Sequence, residues 1–335
     1  MKVLVAVEND NFAKMAIAAL EQKTWPVGTE FILVHVIESE FYNFKGSPES
    51  LKHQINLSSE EDREHQKQHA WLCELVSENK EYLGNMRFVI VTGEVSYCLK
   101  QLSTVLKPDF VVMTSHNRSS KQRIWLKSIC ASVVDELNSS IEVLKPSSAK
   151  DLVPKKILVA LDGSENSLKA LNWLVDQELS SDVSIKLVMV LEANLGSELR
   201  NSQKLHSSYA STRWSTKYNF RQCAKEWFDE TLCDAKTFLK NNHVEGSYLQ
   251  GEVASAIISA AEEWAADLIV VGSHGEKGLS VDGVKKASGS TTQKLIENAH
   301  QNIIVINSNA AELPSFKWNE DKDHSFAAEL GKVSK

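Results

Sequence analysis

The chain repeats itself, so whatever it folds into has to be built twice. "KVLVAVENDN" from Lys2 matches "KILVALDGSE" from Lys156, which sets Glu8 opposite Asp162 at an offset of 154 residues. "TGEVS" at Thr92 matches "QGEVA" at Gln250, and "DFVVMTSHN" at Asp109 matches "DLIVVGSHG" at Asp267, both at 158. The closing "IEVLKP" from Ile141 pairs with "IIVINS" from Ile303 at 162. Offsets that grow in two steps of four describe a tandem duplication whose second copy carries two short net insertions. The 335 residues suffice for two domains with a core each. The boundaries predicted are 1–147 and 154–309, with a tail at 310–335. "KPSSAKDLVPK", Lys145 to Lys155, has the Pro/Ser composition of the linker between them.

Within each copy, short β-branched runs alternate with longer amphipathic stretches. In the second copy "KILVAL" reads as a strand, and Ser164 caps a helix whose apolar face is Leu168, Leu171, Leu174 and Val175. "SIKLVMVL" follows as a strand, then a helix over Lys217 to Asn241 in which Phe220, Ala224, Trp227, Thr231 and Ala235 recur at helical spacing. "GSYLQG" (strand), Ala254 to Ala265 (helix), "DLIVVGS" (strand), Thr291 to Asn298 (helix) and "NIIVIN" (strand) complete the copy. Apolar strands separated by helices predict an α/β fold, with a doubly wound parallel sheet covered on both faces in each domain. Ligands of such sheets bind beyond the carboxyl ends of the strands. That rule selects Asp162, Val190 and the loop opening at Gly272.

At these residues the chain resembles the tandem universal stress proteins, whose domains have the adenine nucleotide alpha hydrolase-like fold. The resemblance runs from residue 1 to about residue 307 and includes the element order, "LDGSENS" and "VVGSHG". Nucleotide-binding members of that family carry an Asp after the first strand. After the fourth they carry G-x-x-G, nine residues, then G-[S/T]. The resemblance implies that Asp162 and the backbone at Val190 hold an adenosine, while Gly272, Gly275, Gly289 and Ser290 hold phosphates, with Thr291 beside them. The implied cofactor is ATP, with Mg2+ as its companion ion. The two copies are expected to pack as a pseudo-dimer inside one chain, through their last strands; a homodimer or a protein partner is a further expectation.

The residue types suit that chemistry. Glycines let backbone N–H groups approach phosphate oxygens with no Cβ in the way. Gly289, Ser290 and Thr291, at the start of the last helix, aim unpaired N–H groups and the positive end of its dipole at an anion. The Asp162 carboxylate can accept from ribose hydroxyls. Each residue also has a plainer role, since Asp162 can simply close a strand-to-helix turn and Ser290 and Thr291 can simply cap a helix. His116 and His274 share one repeat position and read as turn residues.

The spacing departs from the family pattern. Thirteen residues, 276 to 288, separate Gly275 from Gly289 where nine are expected. The extra residues, around "SVDGVKK", either bulge outward and leave both glycine ends in place or lie across the site. Lys285 and Lys286 then either meet the phosphates or remain solvated. In the first copy the nine-residue spacing is intact, but Thr114, Asn117 and Lys127 stand where glycines are expected, only Ser128 remains, and Glu8 replaces the Asp. The first copy is therefore expected to be degenerate as a nucleotide site, its basic residues Lys121, Arg123 and Lys127 forming a solvated face.

Composition narrows the remaining classes. With 42% hydrophobic and 24% charged residues and a net charge of −7, the chain has no basic face for nucleic acid. No apolar run is long enough for a signal peptide or a membrane span, and a cytoplasmic location is expected. Cys73, Cys98, Cys130, Cys223 and Cys233 include no CxxC pair and are expected to be buried small hydrophobes. No catalytic constellation emerges. Two functional readings lead: a regulatory protein of the stress response that binds an adenine nucleotide in the second copy only, or an interaction protein that binds none and recruits partners through its long loops. A third, slow ATP hydrolysis, has only Asp282 to offer as a base or metal ligand.

Overall fold

The computed structural model describes residues 1–38, 59–114, 139–145, 153–191, 217–273 and 290–307. They fall into two compact units, one within Met1–Val153 and the other within Pro154–Ser308. Unit 1 runs β1 (Lys2–Ala6), α1 (Asp10–Glu21), β2 (Glu30–Glu38), α2 (Ser59–Leu83), β3 (Asn85–Gly93), α3 (Val95–Leu106), β4 (Phe110–Thr114) and β5 (Ser140–Leu144). Unit 2 runs β6 (Lys156–Ala160), α4 (Glu165–Val175), β7 (Ser184–Leu191), α5 (Lys217–Phe238), β8 (His243–Gln250), α6 (Val253–Glu263), β9 (Leu268–Gly272), α7 (Ser290–Asn298) and β10 (Asn302–Ile306).

All strand pairs within a unit are parallel. Unit 1 has the order β3-β2-β1-β4-β5 and unit 2 the matching order β8-β7-β6-β9-β10. Parallel strands joined by helical crossovers have both faces covered, which is why Val3, Leu4 and Val5 of β1 and Ile157, Leu158 and Val159 of β6 are all buried. On α5, Ala224, Trp227, Thr231 and Ala235 are buried as their spacing predicts, with Phe228 beside them. Helix α4 is rotated from the expected face: Ser167, Ala170, Leu171, Trp173 and Leu174 are buried, while Leu168 and Val175 are only half-buried. Among the described residues no helix is long and apolar enough to cross a membrane.

The duplication extends to a clamp at the amino end of each sheet. In unit 1, Asp109 Oδ2 accepts from the Lys2 backbone N–H at 2.7 Å, while the Asp109 N–H donates to Lys2 O at 2.9 Å. In unit 2, Asp267 Oδ2 accepts from Lys155 and Lys156 at 2.9 Å each, and its N–H returns the bond to Lys156 O at 2.9 Å. Lys2 Nζ and Lys156 Nζ then reach the carbonyls of Leu106 and Trp264 at the ends of the preceding helices. The Asp that opens "DFVV" and "DLIV" thus fixes the register between the first and fourth strands of its unit.

Charges differ between the copies. An edge strand of each sheet is tied to its neighbour by an ion pair, Arg87 of β3 with Glu30 of β2 and Lys186 of β7 with Glu245 of β8. Unit 1 also has a buried pair, Lys23 Nζ to Glu142 Oε2 at 2.9 Å, with side chains only 10% and 4% exposed. A buried pair resists loss of one partner far more than replacement of both. Glu142→Ala is therefore expected to cost about 3–5 kcal/mol in urea unfolding of unit 1. The double variant Lys23→Met/Glu142→Leu is expected to unfold close to wild type or later.

Candidate functional site

The carboxyl end of the unit 2 sheet is set by its register. Val159 lies opposite Val270 of β9 and Ala160 opposite Val188 of β7, and the Leu161 N–H extends the ladder to Val188 O at 2.9 Å. Two residues beyond these pairs, Asp162, Gly272 and Val190 lie at the same end of three neighbouring strands, Asp162 just past the end of β6, Gly272 as the last residue of β9 and Val190 next to last in β7. The structure therefore brings these three predicted residues together.

A tight turn presents Asp162. Its Oδ1 accepts from Ser164 N at 3.0 Å, and Gly163 has φ +84°, a conformation that a side chain disfavours. Ser164 caps α4 by accepting from Ser167 N at 3.2 Å, and Ser167 Oγ lies 3.4 Å from Asp162 N. The carboxylate closes the turn with one oxygen while the residue stays exposed. Turn and binding roles are thus compatible.

Gly272 has a different reason from the one its sequence suggests. It is the last residue of β9, paired with Ile306 in the ladder, and it is not among the glycines with positive φ. A Cβ there would fall 2.7 Å from the Asn166 carbonyl carbon and 2.8 Å from Asn166 Cβ and Ser167 N. The first turn of α4 passes so close that only glycine fits.

Gly275 and Gly289 lie outside the described residues, as do His116, His274 and the residues between Gly275 and Gly289. Ser290 opens α7 and Thr291 is half-buried in its first turn. Thr292, which sequence reasoning missed, is buried and reaches back with Oγ1 to Gly272 O at 3.4 Å and Ser273 O at 3.5 Å. It holds the start of α7 against the end of β9; the run "STT" was the available signal. Glu252 was missed as well, although "GEV" occurs in both copies. It caps α6 by accepting from Ser255 N at 2.9 Å and ties α6 to α7 through Lys294 Nζ at 2.8 Å. The Lys294 bond, with those from Ser255, holds the Glu252 carboxyl down at about 2.

Unit 1 is built differently at the same place. Asn9, at the position of Gly163, is itself the cap of α1 and accepts from Phe12 N at 3.2 Å, so its turn is one residue shorter than that of unit 2. Glu8 is half-buried, and Thr114, at the position of Gly272, is buried. Asn117, Lys127 and Ser128 lie outside the described residues. Among the described cysteines only Cys98 is buried, where desolvation and nearby Glu94 push its thiol up to about 11. Cys73 and Cys233 are exposed on the solvent faces of α2 and α5, which corrects the expectation of a buried set. Among the described residues no group of three or more His, Cys, Asp or Glu side chains is placed to hold a metal ion.

The Universal stress protein family matches the chain twice, over residues 1–145 and 154–307. The chain belongs to that family. A universal stress protein of Methanocaldococcus jannaschii is 26% identical over 155 residues, which cover 45% of this chain and 81% of the relative. The crystal structure of a universal stress protein from Archaeoglobus fulgidus is 16% identical, covers 91% of this chain and 96% of its own, and superposes with a TM-score of 0.54. A shorter universal stress protein has been solved in complex with cAMP; it is 16% identical, spans 46% of this chain and 97% of its own, and has a TM-score of 0.32.

Two outcomes follow from the geometry of this universal stress protein. Gly272→Ala is expected to destabilise unit 2 by about 1–3 kcal/mol in thermal or urea unfolding, because backbone must move to admit the Cβ. The folded Glu252 value lies below its unfolded 4.5, so its contribution to stability is complete above about pH 4.5 and lost as the pH falls towards about 2. A carboxyl NMR titration of Lys294→Met is expected to show the Glu252 midpoint moving up from about 2 towards 4.5.

Proposed function

We propose that this protein is a nucleotide-binding regulator in which unit 2 takes an adenine nucleotide, ATP with Mg2+ as the first choice, and unit 1 is a structural copy that takes none. The observation that carries this reading is the convergence of Asp162, Val190 and Gly272 at one end of β6, β7 and β9, with the first turn of α7 held beside them by Thr292. The exposed Asp162 carboxylate offers an acceptor to ribose hydroxyls, and the Val190 backbone offers hydrogen-bonding groups at adenosine level. Ser290 and Thr291 supply the amino end of α7, whose N–H groups and dipole suit phosphate oxygens. In unit 1 a buried Thr114 and a half-buried Glu8 occupy the corresponding positions. A side chain at the strand end and a shorter turn leave less room for the same ligand.

Calorimetry of the intact protein with ATP and magnesium tests the proposal. One site per chain is expected. It should be lost in Gly289→Lys, which copies the residue of unit 1, and weakened roughly ten- to hundred-fold in Asp162→Ala, where charged hydrogen bonds disappear. Two sites per chain, or full binding by Gly289→Lys, would overturn the division between the units. No heat in wild type at high nucleotide concentration would overturn nucleotide binding and leave the protein to act through partners.

A further inference from the structure

Where unit 2 places Met189 on its second strand, unit 1 has His35. Both side chains are buried, His35 at 6% exposure and Met189 at 4%, but only His35 can take up a proton near neutral pH. The ladder between β1 and β2 ends with the Val7 N–H donating to Val34 O at 2.9 Å, and the His35 Nδ1–H closes it by donating to Val7 O at 3.0 Å. That bond leaves Nε2 as the basic nitrogen. The rings of His35 and Trp71 of α2 meet edge to face, with centroids 5.5 Å apart and planes at 82°. We propose that His35 is an acid-operated latch: while neutral it seats α2 on the sheet of unit 1, and when protonated it releases that helix.

The surroundings set the direction. Burial disfavours the imidazolium and pushes His35 below its ordinary value of 6.5, against the opposing pull of the Val7 carbonyl and Glu64. Glu64, half-buried on α2, accepts from Gln68 Nε2 at 2.5 Å. On β3 the residue paired with His35 is the apolar Ile90. Asp10 of α1, whose carboxylate senses the Trp71 indole, is paired with Lys14 at 2.8 Å, and Lys14 in turn feels Glu74 and Glu78 of α2. Glu8 follows Val7 in the turn and is half-buried. Of these groups Glu64 is the one His35 feels, and burial outweighs it. Helix α2 is the element that yields. Among its described residues Leu72, Leu75 and Leu83 are the buried apolar ones, whereas α5 buries Ala224, Trp227, Phe228 and Ala235, and segments with few buried apolar contacts open first. The buried Trp71 Nε1 finds no hydrogen-bond partner among the described residues, so release returns it to water together with the imidazolium. Because the folded value lies below 6.5, the latch is fully set above about pH 6.5 and loses its hold as the pH falls below that.

Amide hydrogen exchange of the full-length protein, read by mass spectrometry at about pH 7.5 and about pH 5.5, brackets the ordinary imidazole value. Helix α5 is the reference within the same sample, so the pH dependence of the exchange chemistry cancels. On acidification α2 is expected to lose protection several-fold more than α5. His35→Met, which copies unit 2, and His35→Gln, which keeps a donor for Val7 O, should both abolish that excess, including any share from the other α2 histidines, His65 and His69. Circular dichroism at neutral pH establishes that each variant is folded. The His35 Cε1–H resonance of wild type, which needs no variant, should titrate with a midpoint below 6.5. Equal loss of protection in α2 and α5, an excess that persists in either variant, or a midpoint at or above 6.5 would each overturn the proposal.

Discussion

The register of the central strand governs each half of this molecule. β1 and β6 each have a strand on both sides, and a slip of one residue in either would turn its side chains to the opposite face and carry the following turn out of line. The aspartates that open β4 and β9 prevent such a slip by engaging the first residues of the central strand through side chain and backbone together. Everything at the opposite end follows from that fixation. Asp162 emerges level with Val190 and Gly272 because the strands that carry them are held at their beginnings.

The two copies keep this frame and differ in what they hang on it. In unit 2, Gly163 in the left-handed region adds one residue to the first turn and lets Ser164 take over the cap. In unit 1, Asn9 caps directly and the turn is shorter. At the end of the fourth strand the close pass of the first helix requires Gly272 in unit 2, where unit 1 has Thr114. Unit 1 instead has an ion pair inside the fold at Lys23 and Glu142, where unit 2 has Ile304 at the repeat position of Glu142. Such divergence suits a duplicated chain in which the halves have separate work, as the nucleotide proposal holds.

Much of this was legible in the residues. Strand β7 coincides with "SIKLVMVL" because a strand covered on both faces is apolar along its whole length. Strand β8 begins earlier than "GSYLQG", at His243, since an edge strand is half-exposed and its polar start conceals it. Helix α4 misled because Ser167 is drawn inward by the hydrogen bonds of the turn and Trp173 by its size, which rotates the buried face past Leu168 and Val175. Asp162 and Gly272 stood out in the sequence, but the reason for the second did not. A close pass between a strand end and a helix backbone leaves no trace beyond the glycine itself. Thr292 and Glu252 act across gaps of 20 and 42 residues, distances over which a single sequence gives no pairing signal.

The ion pairs at these edge strands bear on how a chain containing the same domain twice avoids folding into a mixture. Arg87 and Glu245 occupy the same repeat position on β3 and β8, yet their charges are opposite, and so are those of their partners, Glu30 and Lys186. Were β3 to dock beside β7 in place of β8, Arg87 would face Lys186; were β8 to dock beside β2, Glu245 would approach Glu30. Like charges on neighbouring strands repel, and exchange of equivalent elements is a characteristic misassembly of repeated domains. The reversed pairs act as an address, favouring return of each edge strand to the sheet of its own half.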